Sequence, residues 1–265
     1  GENKMNLLSF GEIIWDSYGD SYTIGGAPLN LAAHYAIQGG DAWLASAVGN
    51  DVLGTRATEH IKALGLKTDY VSVLDGLQTG ECVVTLDEKS VPKYNILENV
   101  AYDQISLPVT LNQTFDVIAF GTLALRSKQN VEALECILRN NTFGEIYTDL
   151  NIRPPFYSKE SIEFCLANAT IVKISDEELA LVTLQLFGKN IACADAYDLI
   201  AQNYPKIKLI LITQGEMGST CYDCQNKKIY TCKAEPVTAV STVGAGDSYG
   251  ATFLTQYLKA NDIML

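Results

Sequence analysis

STVGAGDSYG, residues 241–250, places a glycine-rich turn and a single carboxylate, Asp247, before the largely apolar run 249–258. This order is typical of a junction where a strand ends, a tight loop follows and a helix begins. Such a junction points several backbone N–H groups at one spot, and the helix dipole adds partial positive charge there. The stretch therefore predicts a phosphate site, with Asp247 placed to take a proton from an attacking hydroxyl.

Strand-like and helical patterns alternate along most of the chain. A short buried strand is expected at 7–14 and a helix at 30–38, ended by two glycines. The alternation resumes with a strand at 115–120 and includes a mostly apolar strand at 207–213, as expected for the centre of a parallel sheet. The pattern predicts βαβ units and an α/β fold with a mostly parallel sheet.

The helical spacing disappears between residues 70 and 94. Short strand-like segments follow one another there, at 71–74, 81–86 and 93–97. They predict an antiparallel β patch inserted into the α/β body, and the polar, aromatic stretch 17–23 is expected to form an extended arm. Exposed β flaps of this kind often cover a ligand or pair with another subunit.

The composition argues against binding to nucleic acid and against a membrane span. The formal net charge is −12, and no Lys/Arg cluster supplies a basic face. No run of about 18 uninterrupted apolar residues is present. Without a secretory leader, the seven cysteines are expected to be reduced, in the cytoplasm. A metal knuckle is one interpretation of the spacing of Cys221, Cys224 and Cys232. We favour cysteines at a hairpin tip, because no histidine is near in sequence.

A second glycine-rich motif, GGAPLN at residues 25–30, precedes the first predicted helix. Gly25 and Gly26 allow the backbone to approach a ligand closely, and Pro28 suits a first helical turn. Asn30 offers both a donor and an acceptor to a sugar hydroxyl. A plain helix start with turn residues explains the same letters equally well.

Together and in this order, the two motifs resemble the ribokinase-like superfamily of carbohydrate kinases, also called the phosphofructokinase-B family. The resemblance extends over residues 11–258. Shorter pieces, such as GEIIWD at 11–16 and DLNIR at 149–153, resemble the fructokinase branch.

The resemblance implies a three-layer α/β sandwich with a mostly parallel central sheet, in a single domain over residues 1–265. It also implies a small β lid, formed by segments at about 16–24 and 70–98. Because exposed β flaps often pair with another subunit, a homodimer through this lid is a further expectation.

The activity implied by the resemblance is ATP-dependent phosphorylation of a sugar hydroxyl, with fructose as the main expectation. Asp247 is then the general base, and the backbone N–H groups of Gly244, Ala245 and Gly246 form an anion hole. A sugar hydroxyl is too weak an acid to ionise at neutral pH, so a carboxylate that accepts its proton is chemically reasonable.

Family positions for the sugar fall on Asp16, Gly26 and Asn30, and Arg153 joins them as a bidentate phosphate or substrate contact. A carboxylate at Asp16 accepts two hydroxyl hydrogen bonds well. A solvated turn explains Asp16 without a sugar, and a surface ion pair explains Arg153 without a phosphate.

The nucleotide is expected at the loop that contains Thr213, Gly215 and Gly218, with Lys173 as a weaker candidate. The loop follows a predicted strand, and open α/β sheets bind ligands beyond the carboxyl ends of their strands. A simple glycine turn is the alternative for these residues.

Ser175-x-x-Glu178 lies where the family often has Asn-x-x-Glu, a motif linked to magnesium and phosphate. Glu178 is expected to act on Mg²⁺ through water, but a helix capping box explains the same spacing equally well. Ser241 replaces the usual Asp near the monovalent-cation site, so the need for a monovalent cation stays open.

The chain has 18 residues after Asp247 (265 − 247), whereas family members usually continue through further helices. We therefore expect the C-terminal part of the usual fold to be missing and ATP to bind weakly. Two alternatives stay open: a kinase for another sugar or nucleoside, and a sugar-binding protein with weak or lost catalysis.

Overall fold

The computed structural model describes residues 4–86, 88, 92–191, 194–235, 244–260 and 263. The helices are α1 (Ala27–Ile37), α2 (Val52–Ala63), α3 (Lys128–Asn140), α4 (Lys159–Asn168), α5 (Asp176–Phe187), α6 (Ala194–Asn203) and α7 (Ala245–Ala260). The strands are β1 (Asn6–Phe10), β2 (Ile14–Tyr18), β3 (Ser21–Gly25), β4 (Asp41–Gly49), β5 (Lys67–Leu74), β6 (Gly80–Leu86), β7 (Pro92–Ile96), β8 (Phe115–Phe120), β9 (Phe143–Asp149), β10 (Ile171–Ser175), β11 (Leu209–Thr213), β12 (Ser219–Asp223) and β13 (Lys228–Cys232).

The main sheet of the described chain holds nine strands, in the order β13-β12-β11-β10-β9-β8-β1-β4-β5. The strands from β11 to β5 in this order run parallel. Strands β12 and β13 form an antiparallel hairpin at one edge, with Cys221 inside β12 and Cys224 just beyond it. The mostly parallel sheet and the hairpin expected from the sequence are both confirmed.

Helices cover both faces of the main sheet. Buried side chains of α3, α4, α5 and α6 share one apolar core, and those of α1, α2 and α7 share the other. Parallel strands buried on both faces read as continuous apolar runs, as in β11, where residues 209–212 are all buried. The predicted three-layer sandwich is therefore confirmed.

A second, smaller sheet has the order β3-β2-β6-β7. Its strand pairs β2–β3 and β6–β7 are antiparallel, but β2 and β6 are parallel. The sheet is thus mixed, whereas the sequence predicted a purely antiparallel patch. The predicted arm at 17–23 is part of the β2–β3 hairpin.

The assignment of residues 70–74 to the lid was wrong. These residues belong to β5, which pairs in parallel with β4 at the edge of the main sheet. An edge strand that is half exposed shows the same short alternation as a strand in a flap, so its periodicity alone does not separate the two.

Helix α7 extends the predicted apolar run 249–258 at both ends. It is 16 residues long, and no helix among the described residues is both long and apolar enough to cross a membrane. The Thr-Val segment before Gly244, together with Ser241, lies outside the described residues.

Candidate active site

A narrow cleft opens at the carboxyl ends of β1, β8 and β9. This edge of an open parallel sheet is where ligands bind. Three carboxylates line the cleft, those of Glu12, Asp149 and Asp247, alongside apolar side chains that include Pro28 and Leu31. Acidic groups at an enclosed strand edge are the kind of arrangement that proton-transfer chemistry requires.

The start of α7 forms one wall of the site. Gly244 has φ of 79°, and its carbonyl accepts the N–H of Ser248 at 2.9 Å as the helix begins. The first N–H groups of a helix have no intrahelical acceptor, so those from Gly244 to Asp247 are the candidates for binding an anion. A Cβ atom added at Gly246 would lie 3.0 Å from Nζ of Lys173.

Asp247 is held by a side chain from the opposite end of the sequence. Nδ2 of Asn30, in α1, donates to Oδ2 of Asp247 at 2.8 Å. Burial raises the pKa of Asp247, and the nearby charge of Asp149 adds to the rise, whereas the Asn30 hydrogen bond, Lys173 and Arg153 oppose it. The carboxyl group therefore binds a proton more readily than an exposed aspartate does.

Lys173 forms a buried ion pair with Asp149. Its Nζ lies 2.8 Å from Oδ2 of Asp149, and the side chains are only 7% and 13% exposed. Burial alone would lower the pKa of Lys173, but the Asp149 carboxylate outweighs that effect and raises it. Lys173 is thus a permanent cation beside the first turn of α7.

Glu178 closes the capping box of α5. Its Oε2 accepts the N–H of Ser175 at 2.9 Å, and the Ser175 hydroxyl accepts the N–H of Glu178 at 3.2 Å. The other oxygen, Oε1, accepts the N–H of Ile152 at 2.6 Å. Burial, and then the charge of Asp149, raise the pKa of Glu178. The capping interpretation is confirmed, and the magnesium role stays a prediction.

No cluster of three or more His, Cys, Asp or Glu side chains suited to a metal ion occurs in the described part of the chain. Mg²⁺ commonly uses one or two carboxylates together with substrate phosphates and water. The oxygen donors of Glu178, next to the negative charge of Asp149, fit that chemistry.

Two of the residues predicted for the sugar, Asp16 and Arg153, lie in the small sheet and in the β9–α4 connection. Asp16 lies in β2 directly opposite Cys82 of β6. Burial raises the pKa of Asp16, while the Cys82 thiol and the charge of Arg153 oppose the rise. Arg153 is exposed, and its charge also lowers the pKa of Asp247. Arg153 therefore interacts electrostatically with both carboxylates.

Gly26 is required by the geometry of its turn. Its φ is 110°, and an added Cβ atom would lie 2.5 Å from the carbonyl oxygen of Glu12. A residue with a side chain is disfavoured at this φ and would also collide with the neighbouring strand end. Asn30 follows one helical turn later.

The residues predicted for the nucleotide lie apart from the cleft. Thr213 ends β11, in register with Ser175 at the start of α5. Gly215 and Gly218 have φ of 55° and 105°, and a Cβ atom at Gly218 would collide with the carbonyl oxygen of Cys232. Among described residues, the lining of the cleft includes none of Thr213, Gly215 and Gly218. Lys173, the weaker candidate for the nucleotide, lies beside Gly246 and close to Asp247.

Three of the four titratable residues that line the cleft received no role from the sequence: Glu12, Tyr147 and Asp149. Burial raises the pKa of Glu12 to about 7, and the charge of Asp247 contributes. The hydroxyl of Tyr147 is buried and has no hydrogen-bond partner among the described residues. The sequence did indicate that Glu12 is unusual, because a charged residue interrupts the apolar strand-like run at 7–14.

The fold is shared with ribokinase-like kinases of known structure. Fructokinase from Xylella fastidiosa gives a TM-score of 0.81 at 20% identity, covering 97% of this chain and 83% of that chain. Aminoimidazole riboside kinase from Salmonella enterica, complexed with aminoimidazole riboside and an ATP analogue, gives 0.80 at 21% identity, covering 98% and 86%. At such identities the similarity shows the fold alone.

The chain belongs to the pfkB family of carbohydrate kinases, whose pattern it matches over residues 7–264. Fructokinase-2 from Solanum habrochaites is 26% identical, covering 97% of this chain and 83% of the relative. Probable fructokinase-2 from Arabidopsis thaliana is also 26% identical, covering 100% and 85%. The family membership expected from the two glycine-rich motifs is thereby confirmed.

Asn30→Ala is expected to raise the pKa of Asp247 further, because it removes a hydrogen bond that favours the ionised carboxylate. A ¹³C NMR titration of the Asp247 carboxyl group measures this shift. Gln38→Ala is the matched control, since Gln38 donates to Thr252 at 2.8 Å and also links α1 to α7. Equal titrations in wild type and Asn30→Ala, or an equal shift in both variants, would contradict the expectation.

Proposed function

We propose that this protein transfers the γ-phosphoryl group of ATP to a hydroxyl of fructose. The observation that carries the proposal is the half-buried carboxylate of Asp247 in the first turn of α7, held by Asn30 at 2.8 Å. Membership of the pfkB family and curated relatives named fructokinase support the reaction and the choice of sugar.

Asp247 acts as the general base in this proposal. Its carboxylate accepts the proton of the attacking hydroxyl while the new O–P bond forms and the bond to the ADP leaving group breaks. The backbone N–H groups of Gly244, Ala245 and Gly246 stabilise the charge on the transferring phosphoryl group. The raised pKa of Asp247 suits a base, since a carboxylate of higher pKa takes a proton more readily.

The sugar binds between the small sheet and the start of α1. Asp16 and Asn30 hydrogen-bond its hydroxyl groups, and the turn at Gly26 lets the backbone approach the ring. Arg153 lies where its charge reaches both Asp16 and Asp247. It therefore suits the end of the substrate at which phosphate arrives.

ATP is proposed to lie along the loop that contains Thr213, Gly215 and Gly218, with its phosphates directed toward Lys173. The buried ammonium of Lys173 lies next to Gly246. It provides local positive charge in a protein whose formal net charge is −12. Such local charge is needed, because long-range electrostatics would repel a polyphosphate.

Glu178 is proposed to bind Mg²⁺ through water. When bound, Mg²⁺ would neutralise phosphate charge. Both carboxylate oxygens of Glu178 already accept backbone N–H groups, so they are fixed in place but retain lone pairs for ordered water. A requirement for a monovalent cation stays open, because Ser241 is outside the described residues.

The small sheet is proposed to act as a lid and as a dimer surface. Both β3 and β7 are edge strands of this sheet, and edge strands readily pair with another chain. Tyr18, Leu86 and Tyr94 on the sheet are 53%, 48% and 69% exposed. We also propose a cytoplasmic location, since the described cysteines are free thiols, which a reducing compartment maintains.

A nucleoside-type acceptor is the second candidate. The structural similarity to aminoimidazole riboside kinase, with a TM-score of 0.80, is nearly as close as that to Xylella fastidiosa fructokinase. Both acceptors present sugar hydroxyls to the same kind of α/β cleft, so the fold does not separate them.

Coupled ADP release across hexoses, pentoses and nucleosides tests the function. Fructose should give the highest kcat/KM, and release should require both ATP and the sugar. A nucleoside with a higher kcat/KM would support the second candidate. Calorimetric sugar binding without turnover of any acceptor would instead identify a sugar-binding protein and overturn the kinase proposal.

Asp247→Asn should lower kcat by about 10²- to 10⁴-fold, the range expected for loss of a general base. Sugar binding, measured by calorimetry, should remain close to wild type, because the amide keeps the shape of the carboxylate. Asp69→Asn, at an exposed carboxylate of β5, serves as the control and should retain full activity. A loss of less than about tenfold in Asp247→Asn would remove the base assignment.

The wild-type protein should sediment as a dimer at micromolar concentration, and Tyr94→Asp should shift it toward monomer by placing a charge on the proposed contact. Val109→Asp changes a residue that is 56% exposed outside the small sheet, and it should leave the dimer intact. A wild-type monomer, or dissociation in Val109→Asp alone, would show that the small sheet is not the interface.

A further inference from the structure

Arg126 is a buried cation that the proposed reaction does not use. It ends a short helical turn, Leu123–Arg126, that follows β8. Its side chain is only 10% exposed and forms an ion pair with Asp103, whose side chain is 14% exposed. Nε of Arg126 donates to Oδ1 of Asp103 at 2.8 Å, and Nη2 donates to Oδ2 at 2.9 Å. The pair is bidentate, a geometry that fixes the plane of the guanidinium group.

The same guanidinium group reaches the end of the small sheet. Nη2 of Arg126 also donates to the carbonyl oxygen of Leu97 at 2.7 Å, and Leu97 directly follows β7. The N–H of Leu97 donates to the carbonyl oxygen of Glu81, in β6, at 2.9 Å. Arg126 therefore holds the point at which the chain leaves the small sheet.

Two aromatic rings pack against the guanidinium group. Its central carbon lies 5.0 Å from the ring centre of Tyr102 and 4.9 Å from that of Phe156. A guanidinium group over an aromatic ring is an attractive contact, and it is stronger where water is excluded. Phe156 lies in the connection between β9 and α4. Arg126 thus contacts that connection as well as the small sheet.

The connection that contains Phe156 also carries Arg153. The N–H of Phe156 donates to the carbonyl oxygen of Arg153 at 2.7 Å, so the two residues close one tight turn. Contact of Phe156 with Arg126 therefore fixes the turn from which Arg153 projects. Arg153 in turn interacts electrostatically with Asp16 and Asp247.

We propose that Arg126 is a positioning residue for the phosphoryl-acceptor site. It joins the end of the small sheet, which carries Asp16, to the turn that carries Arg153, so that these two substrate contacts keep a fixed separation. Among described residues, the lining of the cleft includes Leu123 but not Arg126, so Arg126 acts through its neighbours. The catalytic consequence rests on the proposed kinase function, whereas the link from Arg126 to the Arg153 turn rests on the contacts described above.

Hydrogen exchange of the Phe156 amide tests the link without an assay of activity. Arg126→Lys keeps the positive charge but lacks the planar group that reaches both Leu97 and Phe156. The Phe156 N–H should therefore exchange about tenfold faster or more in Arg126→Lys than in the wild type. The N–H of Ile162, which donates to Ser158 at 3.2 Å in α4, should exchange at an unchanged rate. An unchanged rate at Phe156, or an equal increase at Ile162, would overturn the proposal.

A double-mutant cycle tests whether the link reaches the reaction. Arg126→Lys should lower kcat/KM for fructose about tenfold in the wild-type background, because misplacement of a substrate contact by about 1 Å can cost about 10²-fold. In an Arg153→Gln background the same change should cost less than about twofold, since the residue through which Arg126 acts is already absent. Equal losses in the two backgrounds would show that Arg126 acts independently of Arg153.

Arg56→Lys is the matched control, since Arg56 is another arginine packed on aromatic rings. Its central carbon lies 4.9 Å from the ring centre of Trp15 and 6.0 Å from that of Tyr22. Arg56 belongs to α2 and packs on β2 and β3. Arg56→Lys should leave the exchange of Phe156 unchanged, and faster exchange there would show that the effect of Arg126→Lys is not specific.

A second variant covers the case in which Arg126→Lys does not fold. Arg126→Leu combined with Asp103→Leu removes both charges of the buried pair and leaves no unpaired charge. It lacks the donor to Leu97, and the Phe156 N–H should again exchange about tenfold faster. Wild-type exchange in this variant would overturn the proposal. A wild-type protein without turnover would refute the kinase function, while the exchange of Phe156 would still decide the link from Arg126.

Discussion

The hydrogen bond from Asn30 to Asp247 connects residues 217 positions apart in sequence and depends on close packing of α1 against α7. Gly250 makes that packing possible. A Cβ atom there would collide with the hydroxyl of Tyr147 and lie 3.3 Å from Cδ1 of Leu31. Since protein interiors yield little to extra volume, a larger residue at 250 would move α7 and carry Asp247 away from Asn30.

The same close packing places several carboxyl groups next to one another in the cleft. Glu12, Asp149 and Asp247 share the cleft, and Lys173 neutralises Asp149 through a buried ion pair. Burial of the remaining carboxyl groups raises their pKa values. An enclosed site with more acidic groups than fixed cations favours proton uptake and attracts further cations. A carboxyl group in such a site therefore accepts a proton more readily than one that is held in a rigid ion pair.

Much of the fold was predictable, because apolar periodicity reports burial directly. The parallel strands and the capping box at Ser175 follow from local pattern alone. Residues 70–74 were misassigned, because the alternation of apolar and polar residues does not show which strand an edge strand pairs with. Within the candidate site, Asn30 and Asp247 were found through their glycine motifs. Glu12 was missed as a cleft residue because its neighbours in the cleft, such as Ala27 in the first turn of α1, lie 15 or more positions away in sequence (27 − 12).

Glu12 lies in the connection between the two sheets. Residues 11–13 connect β1 of the main sheet to β2, which carries Asp16 in the small sheet. Any movement of the small sheet relative to the main sheet must bend the chain at this connection. The turn at Gly26, which leads from β3 into α1, packs on this connection, since a Cβ atom at Gly26 would lie 2.5 Å from the carbonyl oxygen of Glu12. The connection between the two sheets therefore contacts the turn that precedes Asn30.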